Sequence, residues 1–503
     1  MGQIEDKWFY LAIFVMGGYF IYRLIDQSQM ISQLPFDNVN DYMAHFAQLF
    51  FLAKYGFHQF VPHWYNGFIL FLHYPPGWYF FTLPLYILTK NVLLSTYLSL
   101  IAMFFIIFVS LFIFGKTQKF SIIKRIAFFL FLMTNSICIG NYIRLGRVSE
   151  FFSLMCFVIL ATLLLYYRNK DIDWKFYILF IPSYFFLIIS HPAITIIFHI
   201  LWLSFFIVKS FKEKILFIIS SLIAVIATSF WWYPFLTTLS SESNRLSFPM
   251  TARLLEIFSG PWVFTNIASF IIGTALGITF FFYWKTFRYS KKELLFFSPI
   301  LILGFLFITR LIIFVPFLNR VYPDVYMFFF LFFAIFFLLK INTRVLGKFF
   351  TFIFILGLIL LPLSSVFISE IHTPKFIPHG PLEDEFVEIL PYVDNMFVIS
   401  HVENKTSHVS PIYTYGIIYH NLSTPAGGIN FGTPSVEYYD SVQNDFKTYL
   451  KAKDCQGLED TMRFFNTTDI ITYTFTGDCE TLQTCNLTEV RTQEMICLYR
   501  LED

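Results

Sequence analysis

The sequence predicts a mainly α-helical membrane protein, a polytopic bundle of about eleven transmembrane helices with a small C-terminal domain beside it. Three observations predict this class. First, 57% of the residues are hydrophobic, 70 are phenylalanine and only 14% are charged, which is more apolar surface than one soluble core can bury. Second, basic residues collect in short clusters between apolar runs. Third, the hydropathy falls sharply after residue 369.

Apolar runs of about 17 to 25 residues are long enough to cross the hydrocarbon core as helices. The first run follows two acidic residues and lacks a small-residue cleavage site, so we interpret it as a retained helix rather than a secretory signal. The predicted spans are 8–25, 92–114, 126–140, 151–167, 176–190, 192–208, 215–236, 258–284, 295–315, 325–340 and 349–369.

Clusters of lysine and arginine predict the orientation, because such clusters favour the cytosolic face. Clustering at helix ends, rather than along one soluble face, also argues against a nucleic-acid partner. The basic loops are 115–125, 168–175, 209–214, 285–292 and 340–348. With these loops in the cytosol, the N-terminus is inside, and the segments predicted outside are 26–91, 140–150, 190–192, 237–257, 316–324 and the chain after 369.

The aromatic segment 74–90, "YPPGWYFFTLPLYILTK", is predicted to lie in the membrane interface without crossing it. Its three prolines and many aromatic rings suit that position. The alternative is a twelfth span. A twelfth span would invert every later loop and place the five basic clusters outside.

Residues 370–503 are predicted to form an extracytoplasmic domain, whereas residues 1–369 form the transmembrane domain. From residue 376, short apolar runs alternate with turn residues, which is typical of an α/β or mostly β domain. This region contains four cysteines, and an even number suits disulfide formation in an oxidising compartment. The sequence leaves the pairing open among Cys455, Cys479, Cys485 and Cys497. The possible glycosylation sites are Asn404, Asn421, Asn466 and Asn486.

Two acidic residues and a histidine stand out in the first outer loop. A helix from Asn40 to Tyr55 would place Asp41 and His45 on one face. Asp37 precedes the same helix. The alternative is that Asp41 only supports the helix dipole, with His45 a solvated polar residue. The residues of this helix expected to face lipid are Phe46, Leu49, Phe50 and Leu52.

Other outer segments add candidates for a site that binds a lipid phosphate and the group transferred from it. Arginine suits a phosphate because its forked guanidinium donates two hydrogen bonds at once. The further candidates are Glu150, Arg144, Arg147, His191, Arg320, Trp64 and Tyr74.

Each of these candidates also has a structural interpretation. Arg144 and Arg147 would reach the interface from a helix end. His191, before a proline, would satisfy backbone carbonyls in a tight turn. Arg320 would pair with Asp324, four residues later. Trp64 and Tyr74 would be packing residues.

The order of these features resembles the GT-C superfamily of integral membrane glycosyltransferases, which use lipid-phosphate sugar donors. Segment 41–56, "DYMAHFAQLFFLAKYG", is similar to the first-loop aspartate segment of oligosaccharyltransferase catalytic subunits and of lipid-linked aminoarabinose or mannose transferases. "YPP" at 74–76 is similar to the proline pair that follows there. "DxxxH" (41–45), "GRVSEF" (146–151), "SHPA" (190–193) and "NR" (319–320) look closest to archaeal GT-C-like proteins labelled as related to 6-pyruvoyl-tetrahydropterin synthase, a label that we do not read as chemistry.

The chain departs from the family pattern in two places. The second outer loop carries a single Glu150 instead of a dense acidic motif, which weakens the expectation of a divalent metal, Mg²⁺ or Mn²⁺, at Asp41 and Glu150. The C-terminal domain has no WWD-type acceptor-peptide signature. The second departure argues against an oligosaccharyltransferase proper.

The predicted function is transfer of a sugar from a polyprenyl-phosphate donor to a glycan, lipid or protein acceptor on the extracytoplasmic face. The membrane would be the plasma membrane in a prokaryote and the endoplasmic reticulum in a eukaryote. Asp41 is the predicted general base, and Asp37 is the alternative base or a supporting partner. Glu150 would orient the acceptor or complete a metal site.

The remaining candidates are predicted to bind substrate. His45 would orient the Asp41 carboxylate or share a metal with it. The charge that grows on the leaving phosphate needs cations. The cations predicted for it are Arg144, Arg147 and Arg320. Aromatic rings such as those of Trp64 and Tyr74 would stack on sugar faces or prenyl chains.

Two other classes of function compete with this hypothesis. A transporter or flippase of a lipid-linked substrate normally needs polar groups or broken helices at mid-membrane depth, and the predicted spans offer few ionisable residues there. An inactive GT-C-like scaffold would bind partners through its outer domain.

Overall fold

The computed structural model describes residues 6–36, 41–238, 250–255, 263–400, 409–427 and 436–502. In these ranges the chain is mainly helical, as predicted. The helices of the membrane part are α1 (Tyr10–Gln27), α2 (Tyr42–Tyr55), α3 (Gly77–Thr89), α4 (Val92–Thr117), α5 (Ile122–Met133), α6 (Ser136–Cys138), α7 (Val148–Tyr167), α8 (Trp174–Ile188), α9 (Pro192–Val208), α10 (Phe211–Ala227), α11 (Ser229–Thr238), α12 (Val263–Thr286), α13 (Lys291–Ile308), α14 (Pro323–Lys340) and α15 (Thr343–His372).

Every predicted span coincides with a helix or a pair of helices in the described residues. Within the part of the chain that the structure describes, six helical stretches are long and apolar enough to cross a membrane, or up to eight if each of two bent pairs is one span. The bent pairs are α5 with the stretch 136–144, at 54°, and α10 with α11, at 67°. The protein is therefore a polytopic helical membrane protein, while the number of eleven crossings and the orientation stay predictions.

The burial of the helices identifies the centre of the bundle. In α7, 94% of the apolar window is buried inside the protein, and in α14 the share is 78%. In α15 only 11% is buried, so this helix lies at the periphery, where its apolar side chains suit contact with lipid. The central position of α7 and α14 matters because the candidate Glu150 lies at the N-terminal end of α7 and the candidate Arg320 lies just before α14.

The segment 74–90 contains α3, which packs against α2, α4 and α7. A helix of 13 residues is about 20 Å long, whereas the hydrocarbon core is about 30 Å thick. This length agrees with the prediction that the segment does not cross the membrane. Its position relative to the membrane stays a prediction.

The C-terminal region forms a small α/β unit, which resolves the alternative of a mostly β domain. The described strands are, in chain order, β1 (Phe60–Val61) and β2 (Phe68–Ile69), which precede α3, and then β3 (Phe397–Ile399), β4 (Asp469–Tyr473), β5 (Leu487–Thr492) and β6 (Ile496–Leu501) in the C-terminal region. The last four form a sheet of order β3-β4-β6-β5, with β3 parallel to β4 and the other pairs antiparallel. The helices are α16 (Pro381–Ile389), α17 (Val409–His420), α18 (Val436–Ala452), α19 (Cys455–Phe464) and α20 (Asp478–Gln483).

Two disulfides link the C-terminal region, Cys455 with Cys485 and Cys479 with Cys497. Disulfides agree with the predicted oxidising environment. Of the predicted glycosylation sites, three are exposed and Asn404 lies outside the described residues; the exposed ones are Asn421, Asn466 and Asn486. Glycosylation itself stays a prediction.

The C-terminal region is attached to the first loop, residues 28–91, by backbone contacts. The Thr424 N–H donates to the His63 carbonyl at 2.9 Å, and the Tyr65 N–H donates to the Ala426 carbonyl at 3.2 Å. The Thr414 hydroxyl also donates to the carbonyl of Met43 in α2 at 3.2 Å. The first loop is therefore held between the helical bundle and the C-terminal region.

A second attachment fixes the connection after α15. The buried Arg23 of α1 donates to the carbonyls of Thr373 and Pro374 at 3.0 and 2.7 Å. The Asp26 carboxylate accepts from the Phe376 N–H at 2.9 Å. Because α15 continues to His372, the predicted boundary at residue 369 falls within its last turn. The division into two domains stays a prediction.

A buried ion pair lies at the C-terminal end of α7, opposite the candidate site. Arg168 and Glu293 are 3.3 Å apart, each with 8% of its side chain exposed. The Tyr283 hydroxyl donates to the second Glu293 oxygen at 2.7 Å. The pair therefore joins α7, α12 and α13 at the predicted cytosolic end of the bundle.

Replacing Glu293 by Gln is expected to destabilise the protein by about 3 to 5 kcal/mol, because Arg168 would remain buried without a counter-charge. Thermal unfolding of the detergent-purified protein measures this effect as a lower melting temperature. Lys291→Ala, an exposed change two residues away in the same helix, is the control and should leave it unchanged. Equal melting temperatures for Glu293→Gln and the wild type would contradict the prediction.

Candidate functional site

The helix predicted in the first loop is present as α2, with Asp41 at its N-cap and Gly56 at its C-cap. The prediction that its apolar residues face lipid is wrong for Phe46, Leu49 and Leu52, which are buried inside the protein. The reason is tertiary packing, because α3, α4 and α17 surround α2. At the N-terminal end of α2, Asp41 is exposed.

A tight loop between α6 and α7 positions the start of α2. A π-helical turn, Ile139–Arg144, precedes Gly146, whose φ of +71° favours glycine. The Asp41 N–H donates to the Leu145 carbonyl at 2.6 Å, and the Tyr42 hydroxyl donates to the Ile143 carbonyl at 2.8 Å. This loop therefore brings Asp41 close to Arg147 and to the start of α7.

Three carboxylates from distant parts of the chain face the Arg147 guanidinium. Asp324, in the first turn of α14, is closest, with its Oδ2 2.8 Å from Nη1. Glu150, in the first turn of α7, places Oε2 3.8 Å from the same nitrogen. Asp41 places Oδ2 4.0 Å from Nε. The structure thus brings together Asp41, Glu150 and Arg147 of the predicted site and adds Asp324.

The three carboxylates differ in how firmly they are held. Asp324 also accepts from the Asn141 amide at 2.8 Å and from the Val325 N–H at 3.1 Å. Glu150 accepts from the Tyr142 hydroxyl at 3.1 Å, and only 6% of its side chain is exposed. Asp41, by contrast, has 51% of its side chain exposed. It is therefore the carboxylate most accessible to a substrate.

The surroundings of Asp41 change its affinity for protons. Although half of the side chain is exposed, the surrounding protein removes part of the water from the Asp41 carboxyl, which raises its pKa, and the positive charge of Arg147 opposes this. A carboxyl with a raised pKa is a stronger base when ionised. The position and the proton affinity of Asp41 both suit proton acceptance.

His191 and Tyr74 adjoin this cluster. His191, the N-cap of α9, interacts electrostatically with Arg147 and Asp324, and its Nδ1 is buried without a hydrogen-bond partner among the described residues. Burial and the charge of Arg147 lower the pKa of His191 to about 4, so the imidazole is neutral near pH 7. The Tyr74 hydroxyl lies within the electrostatic influence of Asp41 and of the other site charges.

His45 lies beside Tyr74, whereas Trp64 lies at the contact with the C-terminal region. The His45 Nδ1 is 2.7 Å from the Tyr79 hydroxyl, and its ring is surrounded by those of Tyr74, Trp78 and Tyr79. Burial lowers the pKa of His45 to about 3. Trp64 forms a β-bridge with Thr424 at the contact with the C-terminal region. The predicted substrate-binding roles of both residues stay predictions.

Of the three remaining predicted residues, the structure describes Arg144 and Arg320. Arg144 is buried and donates to the Lys375 carbonyl at 3.0 Å, so it helps to hold the connection after α15. Arg320 is exposed in a short turn before α14, and Asp324 pairs with Arg147 instead of with it. Asp37 lies outside the described residues.

The sequence left a divalent metal at Asp41 and Glu150 as an open expectation, and the described structure does not confirm it. Among the described residues, no group of three or more His, Cys, Asp or Glu side chains has an arrangement that could hold a metal ion. Both predicted ligands face the Arg147 guanidinium instead. A metal here would compete with that arginine for the same carboxylates.

Sequence reasoning missed Asp324, Asn141 and Tyr142 as site residues. Asn141 and Tyr142 belong to the same loop as Glu150, but their neutral side chains carry no chemical signal of their own. Asp324 belongs to the segment 316–324, which the sequence predicted to lie outside. Its sequence signal was its spacing of four residues from Arg320, which predicted a local ion pair rather than a place in the site.

No protein-family model and no curated protein matches the sequence. Solved structures do match. The arabinofuranosyltransferase AftD from mycobacteria superposes with a TM-score of 0.60 at 12% identity, over 100% of this chain and 40% of that one. The archaeal oligosaccharyltransferase AglB of Archaeoglobus fulgidus, in complex with an inhibitory peptide and a dolichol-phosphate, gives a TM-score of 0.52 at 10% identity. The match covers 92% of this chain and 69% of that one.

A second structure of the Archaeoglobus fulgidus oligosaccharyltransferase, in complex with zinc and sulfate, gives a TM-score of 0.52 at 11% identity, over 90% of this chain and 68% of that one. These neighbours are GT-C glycosyltransferases. The chain therefore has the GT-C fold, as the sequence resemblance predicted. It spans about 40% of the length of the arabinofuranosyltransferase.

Proposed function

We propose that this chain, which has the fold of GT-C glycosyltransferases, transfers a glycosyl unit from a polyprenyl-phosphate donor to an acceptor on the extracytoplasmic face of a membrane. The observation that carries the proposal is the half-exposed Asp41 carboxylate beside Arg147, Glu150 and Asp324. The acceptor would be the hydroxyl of a glycan, a lipid or a protein.

The helix ends around this cluster suit an anionic substrate. Asp41, Glu150, His191 and Asp324 mark the N-terminal ends of α2, α7, α9 and α14 respectively. A helix N-terminus carries a partial positive charge and unpaired N–H groups, which stabilise negative charge nearby. The convergence of these four helix N-termini would stabilise the negative charge of an ionised Asp41 and of a phosphate leaving group.

In the proposed reaction, the acceptor oxygen attacks the anomeric carbon of the donor sugar. The bond from that carbon to the phosphate oxygen breaks, and the polyprenyl phosphate leaves with the electron pair. The acceptor proton passes to the Asp41 carboxylate, which must lie within hydrogen-bond reach of the hydroxyl. Water then removes the proton from Asp41. The products are the glycosylated acceptor and the polyprenyl phosphate.

The other residues support this step in different ways. Glu150 is proposed to orient the acceptor hydroxyl. Arg320, exposed just before α14, is proposed to contact the donor phosphate. Arg147 acts mainly on the carboxylates that it already contacts. Asp37 remains proposed as the alternative base, and the ring of Tyr74 as a surface for the sugar.

A divalent metal has no step in this mechanism. The carboxylates predicted to hold Mg²⁺ or Mn²⁺ face Arg147, and among the described residues they form no metal-ligand group. Metal dependence is tested by comparing the rate of transfer before and after treatment with a chelator.

Purified protein in liposomes, supplied with a labelled polyprenyl-phosphate sugar, tests the proposed function. We expect labelled acceptor and free polyprenyl phosphate to form in equal amounts. Analysis of the lipids and glycans that accumulate in cells without the protein identifies the sugar and the acceptor to supply. Movement of intact donor across sealed vesicles without cleavage would identify a transporter. Partner binding through residues 370–503 without donor binding would identify a scaffold.

The predicted side of the site is tested with single cysteines. Gln59→Cys in the first loop should react with a membrane-impermeant thiol reagent from outside intact cells, and Lys116→Cys only after permeabilisation, because the two exposed positions are predicted on opposite faces. The native thiols give little background, since Cys138 and Cys156 are buried and the other four cysteines form disulfides. Labelling of both variants from one side would contradict the predicted topology.

A further inference from the structure

We propose that the hairpin of β1 and β2, residues 60–69 of the first loop, contacts the membrane surface, with Phe60 and Ile69 at the boundary between the lipid headgroups and the acyl chains. The partner is the outer surface of the lipid bilayer. This contact depends only on how the loop packs against the membrane helices, so it would exist with or without the proposed glycosyl transfer.

The hairpin presents two large apolar side chains on one face. Phe60 and Ile69 are direct partners in the antiparallel pairing, so their side chains lie next to each other on the same side of the hairpin. Phe60 is 56% exposed and Ile69 is 39% exposed, whereas the adjacent Val61 is buried. Exposed apolar residues are common on proteins, so the position of this pair decides what it contacts.

The backbone of Gly67 fixes the ring of Phe60. A Cβ atom at position 67 would collide with the Phe60 ring, which therefore lies directly against the glycine. The φ of +112° at Gly67 also favours a residue without a side chain. The exposed ring thus has a defined place in the hairpin.

The helix pair α10 and α11 indicates the level of the hairpin relative to the membrane. α10 begins within the basic loop 209–214, which is predicted to be cytosolic, and its 17 residues extend about 25 Å, close to the hydrocarbon thickness of about 30 Å. Large apolar side chains are exposed along it, among them Ile219 and Ile226, which suits contact with lipid. The chain then bends by 67° into α11. α11 therefore starts near the outer boundary of the membrane.

Aromatic contacts attach the hairpin to that boundary. The ring of Phe57, three residues before Phe60, lies with its centroid 5.6 Å from that of Phe230 in the first turn of α11 and 5.4 Å from that of Phe80 in α3. Phe230 also lies 6.3 Å from Phe185, in the last turn of α8, which is the predicted outer end of that helix. The hairpin therefore adjoins the lipid-facing surface of the membrane helices at their outer ends.

The composition of the hairpin favours lipid at this level. Aromatic and large apolar side chains are stable at the boundary between headgroups and acyl chains. Segment 60–69 contains no lysine, arginine, aspartate or glutamate, the side chains that are costly to bring into a membrane. The adjoining α11 exposes Tyr233 and Leu236 as well, by 62% and 56%. The hairpin thus belongs to a larger aromatic and apolar surface at the outer boundary.

The turn of the hairpin also carries the C-terminal region. The His63 carbonyl accepts from the Thr424 N–H at 2.9 Å, and Trp64 forms a β-bridge with the same residue. A hairpin held at the membrane surface would therefore fix the height of the C-terminal region above the bilayer.

Nitroxide spin labels on the full-length protein in phosphatidylcholine liposomes test the proposal. Phe60→Cys and Ile69→Cys are labelled in turn, and electron paramagnetic resonance measures collision with oxygen, which concentrates in lipid, and with a water-soluble nickel complex. Leu360→Cys, at an exposed position of the peripheral α15, is the lipid reference, and Asp460→Cys, at an exposed position of the C-terminal region, is the water reference. The native cysteines are buried or form disulfides.

We expect collision with the nickel complex at both hairpin positions to be at least about threefold lower than at position 460, and collision with oxygen to be higher, as at an apolar boundary. Ile69→Cys keeps Phe60 in place, so it also serves if Phe60→Cys fails to fold. Nickel collision equal to that at position 460 would overturn the proposal.

Exclusion of both reagents from the hairpin positions would also overturn the proposal, because it would show that protein, such as a second copy of this chain, covers the face. The outcome is separate from that of the transfer assay. Labels in lipid on a protein without transfer activity would reject the proposed function and keep this inference.

Discussion

Asp41→Asn is expected to reduce sugar transfer by about 10²- to 10⁴-fold, the range typical of a lost general base. An amide has nearly the shape of the carboxylate but cannot take up the acceptor proton at neutral pH. The Asp41 backbone N–H would still donate to Leu145, so the start of α2 should keep its position. Release of polyprenyl phosphate from the labelled donor measures the loss.

A matched control separates chemistry from charge and expression. Asp460→Asn makes the same change at an exposed position of the C-terminal region, where the carboxylate contacts only a neighbouring glutamine in the described structure. It should leave transfer at the wild-type rate. Transfer at that rate by Asp41→Asn as well would remove Asp41 from the mechanism, and Asp37 would then be the next base to test.

Gly146→Ala is expected to lower both the stability of the protein and its rate of transfer. A Cβ atom at this position would lie 2.4 Å from the ring of Tyr42, which is closer than any real contact. The left-handed backbone, with φ of +71°, adds about 1 to 2 kcal/mol for a residue with a side chain. Overpacking against the buried ring adds about 1 to 3 kcal/mol.

The loss of activity should exceed what partial unfolding explains. Tyr42 follows Asp41 directly, so displacement of its ring would move Asp41 away from Arg147. Thermal unfolding and transfer are measured on the same folded fraction of purified protein. Gly277→Ala in α12, where a Cβ meets nothing within 4 Å, is the control. Wild-type stability and activity in Gly146→Ala would contradict the role of this close contact.

Much of the architecture could be predicted because hydropathy and turn signals are local properties of the chain. The helix that ends at Gly56 and the apolar spans follow from patterns within one or two dozen residues. The environment of α2 could not be predicted this way. An apolar helix face suits lipid and protein equally, and the choice between them depends on what packs beside it.

The candidate site also contains residues that could be predicted from the sequence and one that could not. Asp41, Glu150 and Arg147 were recognisable because charged residues are costly near a membrane and are retained there for a purpose. Asp324 was visible only as a partner for Arg320, since pairing four residues apart is what sequence spacing suggests. In the folded protein, the packing of α14 against the rest of the bundle takes Asp324 to Arg147 instead.

By itself the sequence determined that this is a polytopic helical membrane protein with a small C-terminal region of different character and cysteines suited to disulfides, since these depend on composition and local pattern. The tertiary structure alone decided the disulfide pairing, the burial of α2 and the meeting of Asp41, Glu150 and Asp324 around Arg147. The physical reason is that contacts between distant segments follow from how whole helices pack, which no single stretch of sequence specifies.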